Sequence, residues 1–453
     1  MSSPAAPLRA LLALAMPMVL ARATQAVITF ADAIQVKHLG AGALAATATG
    51  GLNLLGFVIL PMGTVFIVQS FVAQLVGRGA RDEAPRFAWY GLAIAAISAV
   101  LALATIPAVT TLLGLTSYSP YVQAEMSAYI EIRLLSVGAI VGIEALGNWY
   151  GGLGNTWMQM VAGIIAMVVN ILCNWLLIDG NLGFPALGVA GAAWASTIAS
   201  WLGFLFLAIG FARRWGGAPR SGTGGALSRH ELLRVARFGL PNGLNWFLEF
   251  AAFQLFVNVV LAGLGDETVA ALNVVLAVNS ISFMPAFGLA SAGAILAAQA
   301  IGRGAREAVW PQVKVTLACT AAWMCAIGGL YLVAPGTVLR WFEEPGKSGD
   351  LVAIGTSMLA ISAAWQIFDA ICLTLAETLR AAGDTAWTAG ARLLLAWVVF
   401  VPSAIVVVTY LDGGSIGAML CLVGYIALLA LALAYRFRSG AWRRIELIEP
   451  KLV

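Results

Sequence analysis

A chain of 453 residues would ordinarily suggest two or three soluble domains, but 61% of this one is hydrophobic and only 10% charged, with a mean hydropathy of +0.92. That balance excludes a water-soluble fold, whose charged fraction runs near about 25%. The net charge of +4 is carried in short scattered loops, so no continuous basic face is offered to nucleic acid.

Apolar runs of ~20 residues, the length that crosses about 30 Å of hydrocarbon, recur from end to end and predict an all-α integral membrane protein. Twelve spans are predicted, at 8–36, 43–76, 87–109, 128–150, 157–178, 186–212, 238–262, 269–300, 311–334, 350–379, 386–410 and 413–436. The first run follows Arg9 without a cleavage site and reads as a retained helix. Pro17, Pro61, Pro241, Pro285 and Pro402 fall inside spans and predict kinks packed within protein.

The chain is duplicated. Gly77-Arg78-Gly79-Ala80-Arg81 returns 225 residues later as Gly302-Arg303-Gly304-Ala305-Arg306. Gly154-Asn155-Thr156 returns as Gly383-Asp384-Thr385, and Gly188 with Gly191 as Gly414 with Gly417. Such a period predicts two pseudo-symmetric six-helix bundles: an N-terminal lobe at 1–212, a cytoplasmic linker at 213–237 and a C-terminal lobe at 238–453. An even number of spans per half makes the copies parallel repeats. The linker, rich in Gly, Ser and Arg, reads as a flexible tether. Residues 335–349, with Trp341 and Phe342, are expected along the outer membrane surface.

Basic residues set the orientation. With both termini cytoplasmic, twenty Lys and Arg fall in inner segments, Arg380 and Arg392 among them, against Lys37, Arg340 and Lys347 outside.

Ionisable side chains are expensive inside hydrocarbon and mark function by default. Asp32 lies roughly 7 Å below the outer boundary at 1.5 Å per helical residue. Asn170 and Asn174 share one face of the fifth span, and Asn174 is at the depth of Asp32. A carboxylate with two amide oxygens, and Thr197 adding a hydroxyl, suits a monovalent cation or a proton. Glu249 and Asp369 form a second cluster, each ~17 Å from the inner face. Two carboxylates at mid-bilayer cannot both stay ionised without a cation. Arg22 and Glu144, isolated in their spans, are expected to pair across helices. Gln25, Asn53, Asn279 and Trp365 are the candidate substrate-cavity residues.

Enzymatic chemistry finds no support in the sequence. There are two histidines, His38 and His230, both near loops, and five cysteines (Cys173, Cys319, Cys325, Cys372 and Cys421) without metal or redox spacing. No nucleophile constellation is present.

Four stretches together resemble the multidrug and toxic compound extrusion (MATE) transporters. They are Phe30-Ala31-Asp32-Ala33, Asn170 to Asn174 with Gly183 to Gly188, Leu240 to Glu249, and Asp369-Ala370 with Arg380 to Thr385. Acids on the seventh and tenth spans resemble the NorM-like branch. The resemblance implies two lobes around a V-shaped cavity and export of amphipathic, cationic drugs or toxic compounds against inward Na+ or H+ by alternating access. It assigns Asp32, Asn170, Asn174 and Thr197 to an N-lobe cation site, and Glu249 and Asp369 to C-lobe acids. Trp365 replaces an aromatic hydroxyl expected one turn before Asp369, which weakens a sodium site there. The implied protein is a monomer in the bacterial inner membrane, with small organic substrates and no cofactor beyond the coupling ion. A lipid-linked oligosaccharide flippase of the same superfamily is the alternative; it would need an arginine-rich cavity for a pyrophosphate, whereas only Arg22 and Arg133 fall within predicted spans without being counted among the inner-segment basic residues.

Overall fold

The computed structural model describes residues 5–116, 118–217, 219, 227–340 and 350–449. Helices dominate, and no strand occurs among the described residues. In chain order they are α1 (Ala5–Lys37), α2 (Ala41–Val65), α3 (Val68–Gly77), α4 (Pro85–Leu113), α5 (Pro120–Leu134), α6 (Val137–Gly152), α7 (Trp157–Leu177) and α8 (Val189–Ala212). The second half holds α9 (Arg229–Leu255), α10 (Asp266–Gly302), α11 (Val309–Val333), a short α12 (Pro335–Arg340), α13 (Asp350–Ala382), α14 (Thr385–Leu394), α15 (Val401–Thr409) and α16 (Gly414–Arg438).

These make the twelve expected spans. The second is α2 with α3, parted just beyond Pro61, whose ring removes a helical hydrogen bond. The fourth is α5 with α6, of 15 and 16 residues, each too short to span alone, parted at Ser136. The seventh and eleventh contain π-helical turns, Phe256–Leu261 and Leu395–Phe400, the second ending two residues before Pro402. The fourth span begins at Pro120 rather than 128, because Ser119 caps it by accepting from the Val122 amide at 3.4 Å and proline suits the first helical position.

The helices gather into two compact units, Met16–Gly243 and Met1–Ala15 with Leu244–Val453. The boundary therefore falls inside α9 rather than ahead of it, and the start of α1 belongs with the second half of the chain. In the first unit Asn242 Nδ2 donates to the Gly63 carbonyl at 2.7 Å, and a β-carbon on Gly243 would stand 2.2 Å from the Leu60 carbonyl oxygen. Only glycine lets α9 lie backbone to backbone on α2, the small-residue packing that membranes favour.

The duplication extends to backbone torsions. Gly79 and Gly304 both have φ of 77°, Gly154 and Gly383 have 86° and 87°, and Gly40 and Gly265, a pair hidden in sequence, have 105° and 104°. Each half closes its second span alike: Ala80 N donates to Leu75 O and Ala305 N to Ala300 O, both at 3.0 Å. Each half then clasps the segment that follows its sixth span. Arg81 donates to the Gly217 carbonyl at 3.4 Å, and Arg306 to the Arg443 carbonyl.

The linker is less free at its flanks than its composition predicts. Asn155 Nδ2 donates to Gly216 O at 2.7 Å. The Tyr90 hydroxyl accepts from Ser228 N at 2.9 Å and donates to Glu231 at 2.7 Å, while Arg86 bridges Glu83 and Glu231 at 2.6 and 3.2 Å. These contacts start α9 at Arg229, ahead of the predicted 238. Residues 218 and 220–226 of the linker, and Trp341 and Phe342, lie outside the described residues.

Candidate functional site

Three helices of the first unit converge on Asp32. The carboxylate, half-buried on α1, accepts from Asn174 Nδ2 of α7 at 2.5 Å and from Ser196 Oγ of α8 at 3.4 Å. Asn170, one turn before Asn174, donates to Ser196 Oγ at 3.0 Å, and its Oδ1 accepts from Asn174 Nδ2 at 3.4 Å. Both asparagines are fully buried. Their alignment follows from the four-residue spacing on one helix, and α7 and α8 pack along each other.

Two oxygens here are left without partners. Asn174 Oδ1 is buried and unpaired, and so is Oε1 of Gln35, one turn beyond Asp32 on α1, whose Nε2 donates to the Ile171 carbonyl at 3.3 Å. A buried acceptor without a donor is costly and rare. Beside a carboxylate, such oxygens form the donor set a hard cation takes. Arg133 of α5 acts on Asp32 through space; its Nη1 donates to Ser136 Oγ at 3.1 Å, at the break in the fourth span.

Thr197 does not point into this cluster. Its hydroxyl donates to the Ile132 carbonyl of α5 at 3.3 Å, and the neighbouring Ser196 supplies the hydroxyl at Asp32. Sequence alone did not separate adjacent hydroxyls on a helix. The spacing of Asp32 to Gln35, three residues on one helical face, is the sequence signal for Gln35.

Arg22 and Glu144 do pair across helices, bidentately, at 3.0 and 3.3 Å, and Asn148 Nδ2 adds a 3.3 Å contact to the same carboxylate.

In the second unit Glu249 of α9 is ion-paired with Arg392 of α14, and Asp369 of α13 lies within electrostatic reach of both. The guanidinium changes the expected cluster of two bare acids. Arg392 is therefore not a loop anchor, and neither is Arg380, which is 2% exposed and paired with Glu377 at 2.5 Å. Without these two, the segments expected inside would carry eighteen basic residues against three. Arg392 lies seven residues into α14, ~10 Å by helical rise against ~17 Å for Glu249, a gap that an arginine side chain spans; its position inside the span is the clue to the pair.

Of the expected cavity residues, Gln25 and Asn53 are exposed. Asn279 and Trp365 are buried in helix packing instead. Asn279 donates to Ser362 Oγ at 3.1 Å and accepts from Gln366 Nε2 at 2.7 Å, and Ser282 donates to Gln366 Oε1 at 2.7 Å. This network joins α10 to α13 with its polar groups satisfied, the structural use of amides in membranes.

A family model described as MatE matches residues 17–176 and 244–406, one block per half. The chain belongs to this family of membrane transporters. Relatives of this MATE transporter include the probable multidrug resistance protein NorM of Neisseria meningitidis, 30% identical over 325 residues and covering 70% of each chain. The probable NorM of Burkholderia pseudomallei is 26% identical over 432 residues, 94% of this chain and 91% of that one. The multidrug resistance protein PmpM of Pseudomonas aeruginosa is 27% identical, covering 89% and 86%. Among solved structures, a MATE in complex with MaL6 superposes with a TM-score of 0.89 at 21% identity, covering 97% and 98%. The MATE transporter thus has the twelve-helix fold its sequence predicts and the NorM-like kinship its acids implied.

Proposed function

We propose that this MATE transporter is a secondary antiporter that exports amphipathic, cationic organic compounds in exchange for sodium ions or protons. The multidrug resistance names of its NorM and PmpM relatives support the substrate class. The observation that carries the coupling is the Asp32 cluster. The half-buried carboxylate is held by Asn174, and two residues of this neighbourhood, Asn174 itself and Gln35 one turn beyond Asp32, each carry a buried amide oxygen that no protein donor serves.

Asp32, Asn170, Asn174 and Ser196 would hold the cation, with Gln35 at the edge of the site. Asp32 supplies the charge, and the amides and hydroxyl orient it through their mutual hydrogen bonds. Exchange requires the cation to bind the outward-facing and inward-facing states with different affinity. The Asp32 cluster, drawing on α1, α7 and α8, is a place where helix movement alters the ligand set. In this reading the protein works as a monomer in the inner membrane of a bacterium, as its bacterial NorM relatives suggest, with both termini in the cytoplasm, which the distribution of basic residues supports. The flippase alternative is disfavoured because two intramembrane arginines are committed to acids, Arg22 to Glu144 and Arg392 to Glu249. Arg133, held by Ser136, is a single guanidinium rather than the arginine cradle a pyrophosphate needs.

The test is dye efflux from energised cells carrying the wild type, Asp32→Asn or Asn174→Ala at matched membrane abundance. Loss of efflux in both variants is expected. Undiminished efflux by Asp32→Asn would overturn the coupling assignment.

A further inference from the structure

The Glu249–Arg392 ion pair is the feature of the second unit that the scheme above leaves without a role. It lies in a groove that Asn245 and Trp397 also line. Trp397 Nε1 donates to the Leu248 carbonyl at 3.1 Å and fastens α14's extension to α9. Asn245, one turn before Glu249, presents a buried Oδ1 without a partner. Asp369 feels the charges of Glu249 and Arg392 but has no ion pair of its own among the described residues. Both helices that carry the pair pass into π-helical turns, and those turns meet, with the Phe256 and Phe400 rings 4.9 Å apart. Such turns are common at functional sites.

We infer that Arg392 is a specificity-determining residue: a built-in counter-cation that leaves the Glu249–Asp369 acid pair at most one exchangeable negative charge, so that this site takes one monovalent cation and turns away dications. The inference rests on the export reading above and names the charge of the substrate. Two carboxylates and one guanidinium carry a single net negative charge. Arginine stays protonated at any physiological pH, so the offset is permanent. Charges in a membrane interior need compensation. A monocation supplies what Asp369 lacks. A second positive charge on the ligand meets the guanidinium with no carboxylate left to balance it, and the repulsion is of the same order as the attraction at Asp369.

The test uses the purified full-length protein and two fluorescent phenanthridinium dyes that share a ring system, ethidium with one positive charge and propidium with two. Wild type is expected to prefer ethidium by fluorescence polarisation. Arg392→Gln should shift the ratio of dissociation constants toward propidium by at least about tenfold, the effect of one unit charge ~10 Å away at an effective dielectric near ~20. Arg392→Lys should keep the wild-type ratio, and Glu249→Gln/Arg392→Gln should restore it by returning the charge count to one. An unchanged ratio in Arg392→Gln, or an unrestored one in the double variant, overturns the inference. Should Arg392→Gln fail to fold, Glu249→Gln decides. With Arg392 then neutralising Asp369, both dyes should bind weakly, and adding Arg392→Gln should recover ethidium; no recovery refutes the role. The export reading fails separately, if wild-type vesicles move neither dye under any cation gradient.

Discussion

Arg22 of α1 and Glu144 of α6 form a two-pronged ion pair inside the first unit, with side-chain exposures of 17% and 10%. Breaking such a pair by removing one partner strands a buried charge, which costs about 3–5 kcal/mol, whereas replacing both with apolar residues of similar volume is often neutral. Glu144→Gln and Arg22→Met are therefore expected to lower the thermal unfolding midpoint sharply, and Arg22→Met/Glu144→Met to recover most of the loss. Chemical or thermal unfolding in detergent measures this. Equal loss in the double variant would mean that the pair has a role beyond mutual neutralisation.

The two hydroxyls at 196 and 197 make a sharper comparison. Ser196 contacts Asp32 and Asn170, whereas Thr197 is spent on the Ile132 carbonyl. Ser196→Ala should weaken cation binding at Asp32 by about tenfold, the usual loss of a hydrogen bond to a charged group. Thr197→Val should leave that affinity within about twofold and cost only a little stability, about 1 kcal/mol for the lost hydroxyl bond, since the Ile132 carbonyl keeps the Leu135 amide as a donor. Calorimetry of sodium or proton binding distinguishes them. The reverse order of effects would show that the hydroxyl at 197 serves the cation.

Tyr90 pins the start of α9 through Ser228 and Glu231. Tyr90→Phe removes both hydrogen bonds while keeping the ring. Amide hydrogen exchange in the first turns of α9 should speed up about tenfold or more, given roughly 1.5 kcal/mol for a bond to a charged group. Exchange around Phe256 should stay the same. No change near Arg229 would mean that Arg86 alone secures the helix.

Much of the architecture was legible because membranes simplify the problem: backbone polar groups in hydrocarbon must be satisfied within the segment, so an apolar run of sufficient length is a helix. Twelve spans, the duplication and the Asp32–Asn170–Asn174 alignment followed from length, repeat and helical spacing. What escaped depended on side-chain direction. Thr197 and Ser196 differ by about 100° around a helix, and depth bookkeeping does not resolve an angle. Arg392 was placed with the loop arginines because positive charge near a span's end is usually an anchor; only a neighbouring acid at matching depth distinguishes an interior guanidinium. Asn279 and Trp365 share the composition of cavity residues, and their burial, Asn279 against α13 and Trp365 in the core of the second unit, is set by packing that local sequence does not encode. The early start of α9 rests on Tyr90 and Arg86, some 140 residues away in sequence.

The central claim is that a cation moving through the Asp32 cluster drives export. Its most direct measurement is organic-cation uptake into proteoliposomes of purified protein with sodium and pH gradients imposed separately. Wild type should concentrate the cation only against an oppositely directed gradient of one of these ions, and Asp32→Asn should do so under neither. Accumulation by Asp32→Asn at the wild-type rate, or by wild type with both gradients collapsed, would contradict it.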